Sequence, residues 1–241
     1  MKVYGIIGKS LQHSFSPRYF NNKFSDYNID AVYEAFELEN IDAFPGLLRQ
    51  KQLAGINVTI PYKEQVIPFL DELDPSAESI GAVNCIQAHK GRLVGYNTDI
   101  TGFTRSLQPL LKAQHRRALV LGTGGAAKAI QQGLQQLDIP YTVVSRSGVP
   151  GTISYPQIDE QVMNTHPIII NTTPLGTFPD ITEKPDLPYD YLNTNHLLYD
   201  LVYNPEITAF LQEGRQRAAQ VKNGFEMLCI QAEAGWDIWN Q

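Results

Sequence analysis

Short apolar blocks alternate with amphipathic stretches along almost the whole chain. Residues 2–8 are rich in strand formers and end on glycine. Residues 17–27 read as a helix, with Ser16 as its N-cap and Pro17 at the first helical position. A second strand is expected over 31–36, a helix limited by Pro45 over 41–49, and a third strand over 54–59. The stretch 63–73 reads as a helix broken near Pro68. Residues 83–88 and 93–96 flank His89-Lys90-Gly91, which predicts a hairpin. Then the pattern starts again. Residues 100–112 predict a helix joining two halves, and 118–122 a buried strand. Residues 125–137 carry Ala126, Ala127, Ile130, Leu134 and Leu137 at helical spacing. Strands are expected at 141–146, 167–171 and 197–202, and helices at 206–221 and 226–239 close the chain. The alternation predicts an α/β fold in two lobes, a mostly parallel N-terminal lobe followed by a Rossmann-type half.

Composition narrows the class. The chain has 241 residues, 43% hydrophobic and 18% charged, enough apolar material for a core in each lobe. Its net charge is −6 and it has no basic block, which argues against nucleic-acid binding and against attachment to an anionic membrane. No apolar run approaches the roughly 18 residues of a membrane span. The opening Met-Lys-Val-Tyr-Gly-Ile-Ile-Gly reads as a strand rather than a signal peptide. Cys85 and Cys229 lie far apart with no CxxC spacing, so neither a disulfide framework nor a cysteine zinc site is expected. His89, His115, His166 and His196 show no metal spacing and are expected in turns or on the surface, and His13 reads as a local structural residue. Cytoplasmic residence without a metal is the simplest expectation.

Leu119-Val-Leu-Gly122-Thr-Gly124-Gly125-Ala126-Ala127 follows a strand and opens a helix. Gly122 permits a tight turn, Gly124 lets backbone approach a pyrophosphate, and Ala127 leaves room for the helix to pack on the strand. The positive end of the helix then faces the phosphates. A glycine-rich turn with no ligand is the bland alternative. At the end of the next strand, where an NAD enzyme carries Asp or Glu, the chain reads Ser145-Arg146-Ser147. An arginine there pairs with a 2′-phosphate, and the two serines add hydrogen bonds, which favours NADP over a merely solvated arginine.

The first half carries four polar clusters: His13-Ser14-Phe15-Ser16-Pro17; Asn57, Thr59 and Lys63; Gly81-Ala-Val-Asn84; and Asn97-Thr98-Asp99. A lysine and an aspartate set among strand formers, upstream of a nucleotide loop, suggest proton transfer coupled to a dinucleotide. Hydroxyls and amides orient a polyol or hydroxy acid without competing for the proton. Ser16 and Asp99 also suit helix N-caps.

These segments, with Tyr-Asp-Leu-Val-Tyr-Asn-Pro at 199–205 and Gly-Phe-Glu-Met-Leu-Cys-Ile-Gln-Ala at 224–232, resemble the shikimate dehydrogenase family from Val3 to the last helix. The resemblance implies an NADP-dependent oxidoreductase that interconverts 3-dehydroshikimate and shikimate. It implies Lys63 and Asp99 as the catalytic pair, leaving open which of them moves the proton. Ser14, Ser16, Asn57, Thr59, Asn84 and Gln231 are implied as substrate contacts, with Tyr203 nearby. Gly122, Gly124, Gly125, Ala126, Ser145, Arg146, Ser147 and Gly224 are implied at the cofactor. Gln231 brings the last helix back to the first lobe. The expected domains are thus 1–98 completed by 222–241, binding substrate, and 99–221, binding NADP.

The chain departs from the family where Lys9-Ser10 replaces Asn-Pro, where Ser145-Arg146-Ser147 replaces Asn-Arg-Thr, and where Gly148-Val149-Pro150 replaces a basic residue. The segment 146–167 is short, so one element is expected to be reduced. A quinate/shikimate dehydrogenase using NAD and a non-catalytic NADP- or metabolite-sensing module are the rival readings. Either a monomer or a homodimer is compatible with the sequence.

Overall fold

A computed structural model describes residues 1–12 and 14–241; His13 lies outside the described residues. The chain divides into two compact units, Met1–Thr98 with Gln231–Gln241, and Asp99–Ile230. Residues 222–230 therefore fall with the second unit.

In the first unit the apolar blocks become β1 (Lys2–Gly8), β2 (Ala31–Glu37) and β3 (Leu53–Val58), separated by helices α1 (Phe15–Asp26) and α2 (Phe44–Gln50). The short pieces α3 (Tyr62–Gln65), β4 (Glu72–Leu73) and α4 (Pro75–Glu78) lead to β5 (Cys85–His89) and β6 (Arg92–Tyr96). The sheet order is β2-β1-β3-β5-β6-β4. It is parallel through β2, β1 and β3 and antiparallel through β3, β5 and β6. The antiparallel half follows from the hairpin, whose Lys90 (φ 50°) and Gly91 (φ 79°) are both left-handed, as a two-residue turn requires. Helix α1 begins at Phe15, so Ser14, not Ser16, holds the N-cap position and Pro17 is third in the helix. Proline is tolerated there because the first-turn N–H groups have no helical partners to lose. The expected helix over 63–73 survives only as α3 and a 3₁₀ turn at Ile67–Phe69, because Pro68 lacks the N–H that a longer helix needs.

The two faces of this sheet are covered differently. Ile7, Ile56, Val58 and Ile86 pack with Phe44, Tyr62 and Val66. On the other face Tyr4, Phe20, Phe24 and Tyr33 meet Trp239 and Trp236. The Trp239 indole lies over Gly55, where a Cβ would collide with the ring, and its Nε1 donates to the Ile86 carbonyl at 3.0 Å. Each large apolar side chain fully buried in this way stabilises the fold by about 1.5–3 kcal/mol.

The second unit holds α5 (Asp99–Leu107), β7 (Ala118–Leu121), α6 (Gly125–Gln136), β8 (Tyr141–Val144), α7 (Glu160–Thr165) and β9 (Ile168–Asn171). It continues with β10 (Leu197–Asp200), α8 (Ala209–Gln216) and β11 (Gln220–Lys222), and α9 (Phe225–Trp239) ends the chain. Its sheet is wholly parallel in the order β11-β10-β9-β7-β8. β7, β9 and β10 are buried along their full length, which is why they read as unbroken apolar runs rather than alternating ones. The short 146–167 segment supplies only the six-residue α7 and a 3₁₀ turn, as its length led us to expect. The expected helix over 206–221 is instead α8 followed by the edge strand β11. The Thr208 hydroxyl caps α8 by accepting from Leu211 N at 3.2 Å, and the left-handed Ala218 (φ 57°) turns the chain into the strand.

Three histidines are buried rather than superficial: His115, His166 and His196. Each is accommodated because its ring nitrogens are bonded. His115 Nδ1 accepts from Lys112 N at 3.1 Å, His166 Nε2 meets Thr142 Oγ1 at 2.9 Å, and His196 Nδ1 accepts from Asn193 N at 3.1 Å. Burial pushes His115 and His166 below the usual imidazole range. No described helix is long and apolar enough to cross a membrane.

Candidate active site

The first unit gathers its polar clusters at the carboxyl ends of β1 and β3. Asn57 sits in β3, paired with Ile6 on one side and Cys85 on the other. Its Oδ1 accepts from the Tyr33 hydroxyl at 2.6 Å, and its Nδ2 donates to the Asn84 carbonyl at 3.1 Å. Burial pushes the Tyr33 phenol well up, and a hydrogen bond with the Ser16 side chain pulls it part of the way back. Asn84 Oδ1 accepts from both Thr98 N at 2.8 Å and Thr98 Oγ1 at 3.2 Å. Asn97 is fixed in parallel, its Nδ2 donating to the Ala82 carbonyl at 2.9 Å. A row of hydrogen bonds thus runs from Tyr33 through Asn57 to the carbonyl of Asn84, and from the Asn84 side chain to Thr98, the residue that leads into Asp99.

Sequence reasoning missed Tyr33. Nothing in the local pattern distinguishes it from a core tyrosine, and its partner is 24 residues away. Ser14, Ser16, Thr59 and Lys63 are all half-buried around this end of the sheet. Thr59 N donates to the Ile7 carbonyl at 3.0 Å, which places Thr59 beyond the end of β3 beside β1. Lys63 lies in α3, its carbonyl accepting from Val83 N at 2.8 Å. Gln231 is half-buried in α9, one turn before Gly235. A Cβ on Gly235 would lie 3.8 Å from Asn57 Nδ2, so this side of α9 faces the row.

The second unit begins at Asp99, the buried first residue of α5. Its Gly-rich turn follows β7. Gly122 has φ 112°, and a Cβ there would lie 2.7 Å from Thr172 Oγ1, so only glycine fits. Gly124 and Gly125 differ: a Cβ on either meets nothing within 4 Å, and Thr123, Gly124, Gly125 and Ala126 are exposed. Gly124 occupies the N-cap of α6 and has no side chain to cap it, which leaves the first N–H groups of the helix open to an anion. Ala127 is fully buried against the sheet.

After β8, Ser145 is buried and its Oγ accepts from Ser147 N at 3.3 Å, which shapes the turn that holds Arg146 exposed. Burial pushes the Tyr155 phenol up while the nearby Arg146 charge draws it down. Tyr203, half-buried, follows β10, and burial pushes its phenol up. Gly224 is buried, and a Cβ there would strike the Leu201 carbonyl, so packing within the protein already demands glycine.

A second polar group that sequence reasoning missed lies beneath these loops. Asp200, at the end of β10, is fully buried, and burial pushes its carboxyl up to about 6 against the pull of bonds from Thr208, Val202 and Asn171. Its one sequence signal is a carboxylate ending an apolar strand on the side where open α/β sheets bind ligands. Among the described residues no group of three or more His, Cys, Asp or Glu is placed to hold a metal ion.

Similarity to known proteins agrees with this arrangement. A family model described as the shikimate dehydrogenase substrate binding domain matches residues 6–86. The chain is 35% identical over 260 residues to the shikimate dehydrogenase (NADP(+)) of Caldicellulosiruptor saccharolyticus, covering 99% of this chain and 92% of that protein. It is 36% identical over 257 residues to the shikimate dehydrogenase (NADP(+)) of a Geobacillus species, covering 99% and 92%. Among solved structures, shikimate 5-dehydrogenase from Thermus thermophilus in complex with NADP(H) and shikimate matches with a TM-score of 0.88 at 29% identity, covering 99% of this chain and 93% of that one. Identity of this level over nearly the full length, on a fold that presents both polar clusters, means that the chain belongs to the shikimate dehydrogenase family.

Proposed function

We propose that this protein is an NADP-dependent shikimate dehydrogenase, catalysing the reversible reduction of 3-dehydroshikimate to shikimate. The observation that carries the reading is the hydrogen-bonded row Tyr33–Asn57–Asn84–Thr98, a set of prearranged hydroxyls and amides suited to a ring bearing several hydroxyls. We assign Met1–Thr98 with Gln231–Gln241 to the substrate and Asp99–Ile230 to the cofactor. Ser14, Ser16, Asn57, Thr59, Asn84 and Gln231 orient the substrate, and Tyr203 lies near it. The open N-terminus of α6, the space at Gly124 and Gly125, and the exposed Arg146 between two serines fit a dinucleotide with a 2′-phosphate. Ala126 and Gly224 complete the set.

When bound, NADPH supplies the hydride. As the substrate carbonyl is reduced, negative charge grows on its oxygen, and the Lys63 ammonium stabilises that charge and offers a proton. We assign Asp99 to the reaction as the second member of the catalytic pair. The half-buried setting of Lys63 limits competition from water for that oxygen.

Use of NAD as well as NADP is the second reading, favoured by Gly148-Val149-Pro150, which leaves Arg146 without a second cation in that loop. Nicotinamide absorbance in four mixtures tests both: shikimate or quinate, each with NADP or NAD. Reduction confined to shikimate with NADP is the expected result. Activity with quinate or NAD moves the protein to the broader branch, and silence in all four with NADP still bound overturns the enzyme reading in favour of a sensor. We place the protein in the cytoplasm as a monomer or homodimer with small-molecule partners only. The net charge of −6 supports the absence of nucleic acid, and light scattering chooses the oligomeric state.

A further inference from the structure

The carboxyl ends of β9 and β10 share a buried carboxylate that the proposed reaction does not consume. Asp200 Oδ1 accepts from Asn171 Nδ2 and from Val202 N, both at 3.0 Å, and its Oδ2 accepts from Thr208 Oγ1 at 2.6 Å. All three partners are donors aimed at one acceptor, so the site is built for an ionised carboxylate. Two loops hang on it. The first runs from Asn171, whose Oδ1 accepts from Thr173 N at 3.0 Å and Thr173 Oγ1 at 2.6 Å. Between them Thr172 reaches back to the Leu121 carbonyl, with Oγ1 at 2.6 Å, and occupies the space beside Gly122. The second loop follows Val202 into Tyr203, and Gly224 N holds it from the other side through the Val202 carbonyl at 3.2 Å.

We propose that Asp200 is a positioning residue for the dinucleotide. It ties the loop that backs the Gly122 turn to the loop that carries Tyr203, so that both are set before the cofactor arrives. The proposal rests on the reading of that turn as the cofactor site. Charge-assisted bonds to a buried carboxylate are stronger than neutral ones, and losing the acceptor leaves three buried donors to find other partners. Preset loops lower the ordering cost of binding, so their loss appears as weaker cofactor affinity.

The experiment is NADPH fluorescence titration of the full chain, with urea unfolding followed in parallel, for Asp200→Asn, Thr208→Val and Thr208→Ser. Affinity is read without turnover. Failure of the shikimate assignment therefore shows separately, as a wild-type protein that binds NADPH but does not oxidise shikimate. Asp200→Asn is expected to raise the NADPH Kd roughly ten-fold and the KM for shikimate by clearly less, since only the Tyr203 loop lies near the substrate while both loops serve the cofactor turn. Thr208→Val is expected to raise the Kd roughly three-fold, and Thr208→Ser, which keeps the hydroxyl, to restore it. A purely structural role moves the urea midpoint and leaves the Kd of the folded protein alone. Folded variants with wild-type Kd overturn the proposal, as does an equal rise in shikimate KM. If Asp200→Asn fails to fold, the Thr208 pair decides: a Kd weakened by valine and restored by serine supports the proposal, and equal values in the two overturn it.

Discussion

The proposed substrate cluster and the proposed cofactor turn are both polar, yet they are held in opposite ways. In the first unit Asn57 and Asn84 are tied by their side chains to Tyr33, to each other and to Thr98, and all four are buried or half-buried. In the second, residues 123–126 stand exposed around a helix terminus, and their useful groups are backbone N–H donors. The difference follows from desolvation. A half-buried amide needs a partner before the ligand arrives, so the fold provides one. Exposed N–H groups are covered by water until an anion displaces it. The first region should therefore respond to individual side chains. The second should respond to backbone geometry and, on the proposed reading, to the exposed Arg146 after β8.

The largest effect is expected where chemistry, not binding, is at stake. Lys63→Ala should lower kcat roughly 10³-fold with a modest change in the KM for shikimate, measured by steady-state oxidation of shikimate with NADP. Turnover close to wild type would remove Lys63 from the reaction.

Two glycines sharpen the comparison within the second unit. Gly122→Ala forces a side chain into a left-handed backbone and against Thr172, and should cost about 1–3 kcal/mol of stability by urea unfolding. Gly124→Ala meets no atom of the protein, so its stability should change by less than about 0.5 kcal/mol. Its NADPH Kd should nevertheless rise, since on the proposed reading the added methyl would stand where the backbone approaches the pyrophosphate. An unchanged Kd for Gly124→Ala would remove that glycine from the cofactor contact.

How much of this was readable in advance depended on whether the controlling interaction is local. The hairpin at Lys90-Gly91 was legible because two left-handed residues between alternating runs have few other uses. The strand, glycine turn and helix at 118–136 were legible for the same reason. The start of α1 was not, because an N-cap serine and a first-turn proline satisfy the same local rules in two registers. β11, with three residues, is too short for any period to show. The buried histidines depend on partners such as Thr142, 24 residues from His166. The Tyr33–Asn57 and Asn171–Asp200 bonds span 24 and 29 residues, and only the register of the sheets brings their ends together. The clusters that would touch ligand were thus visible as residue types, while the residues that aim them were not.

The cation after β8 separates charge recognition from backbone recognition. Arg146→Ala should raise the KM for NADP roughly ten-fold and leave the KM for NAD nearly unchanged. Equal effects on both cofactors would mean that Arg146 contacts the shared part of the dinucleotide rather than a 2′-phosphate.

A small predicted effect on substrate binding is the most direct test of the hydrogen-bonded row. Tyr33→Phe removes one hydroxyl and keeps the ring, which stacks on Phe20 with centroids 4.7 Å apart. The aromatic packing therefore stays, and the loss in stability should be near the net value of one hydrogen bond, about 1 kcal/mol. Asn57 retains its bond to the Asn84 carbonyl but loses the donor that fixes its Oδ1. The Asn57 amide then has freedom to turn away from the proposed substrate position. The KM for shikimate should rise roughly three- to five-fold, with the NADPH Kd unchanged. If the shikimate KM does not move, the ligand orders these side chains on arrival, and the contrast between a prearranged substrate cluster and a water-covered cofactor turn disappears. If it moves while the urea midpoint barely does, the hydroxyl of a core tyrosine is there to aim an amide at the substrate.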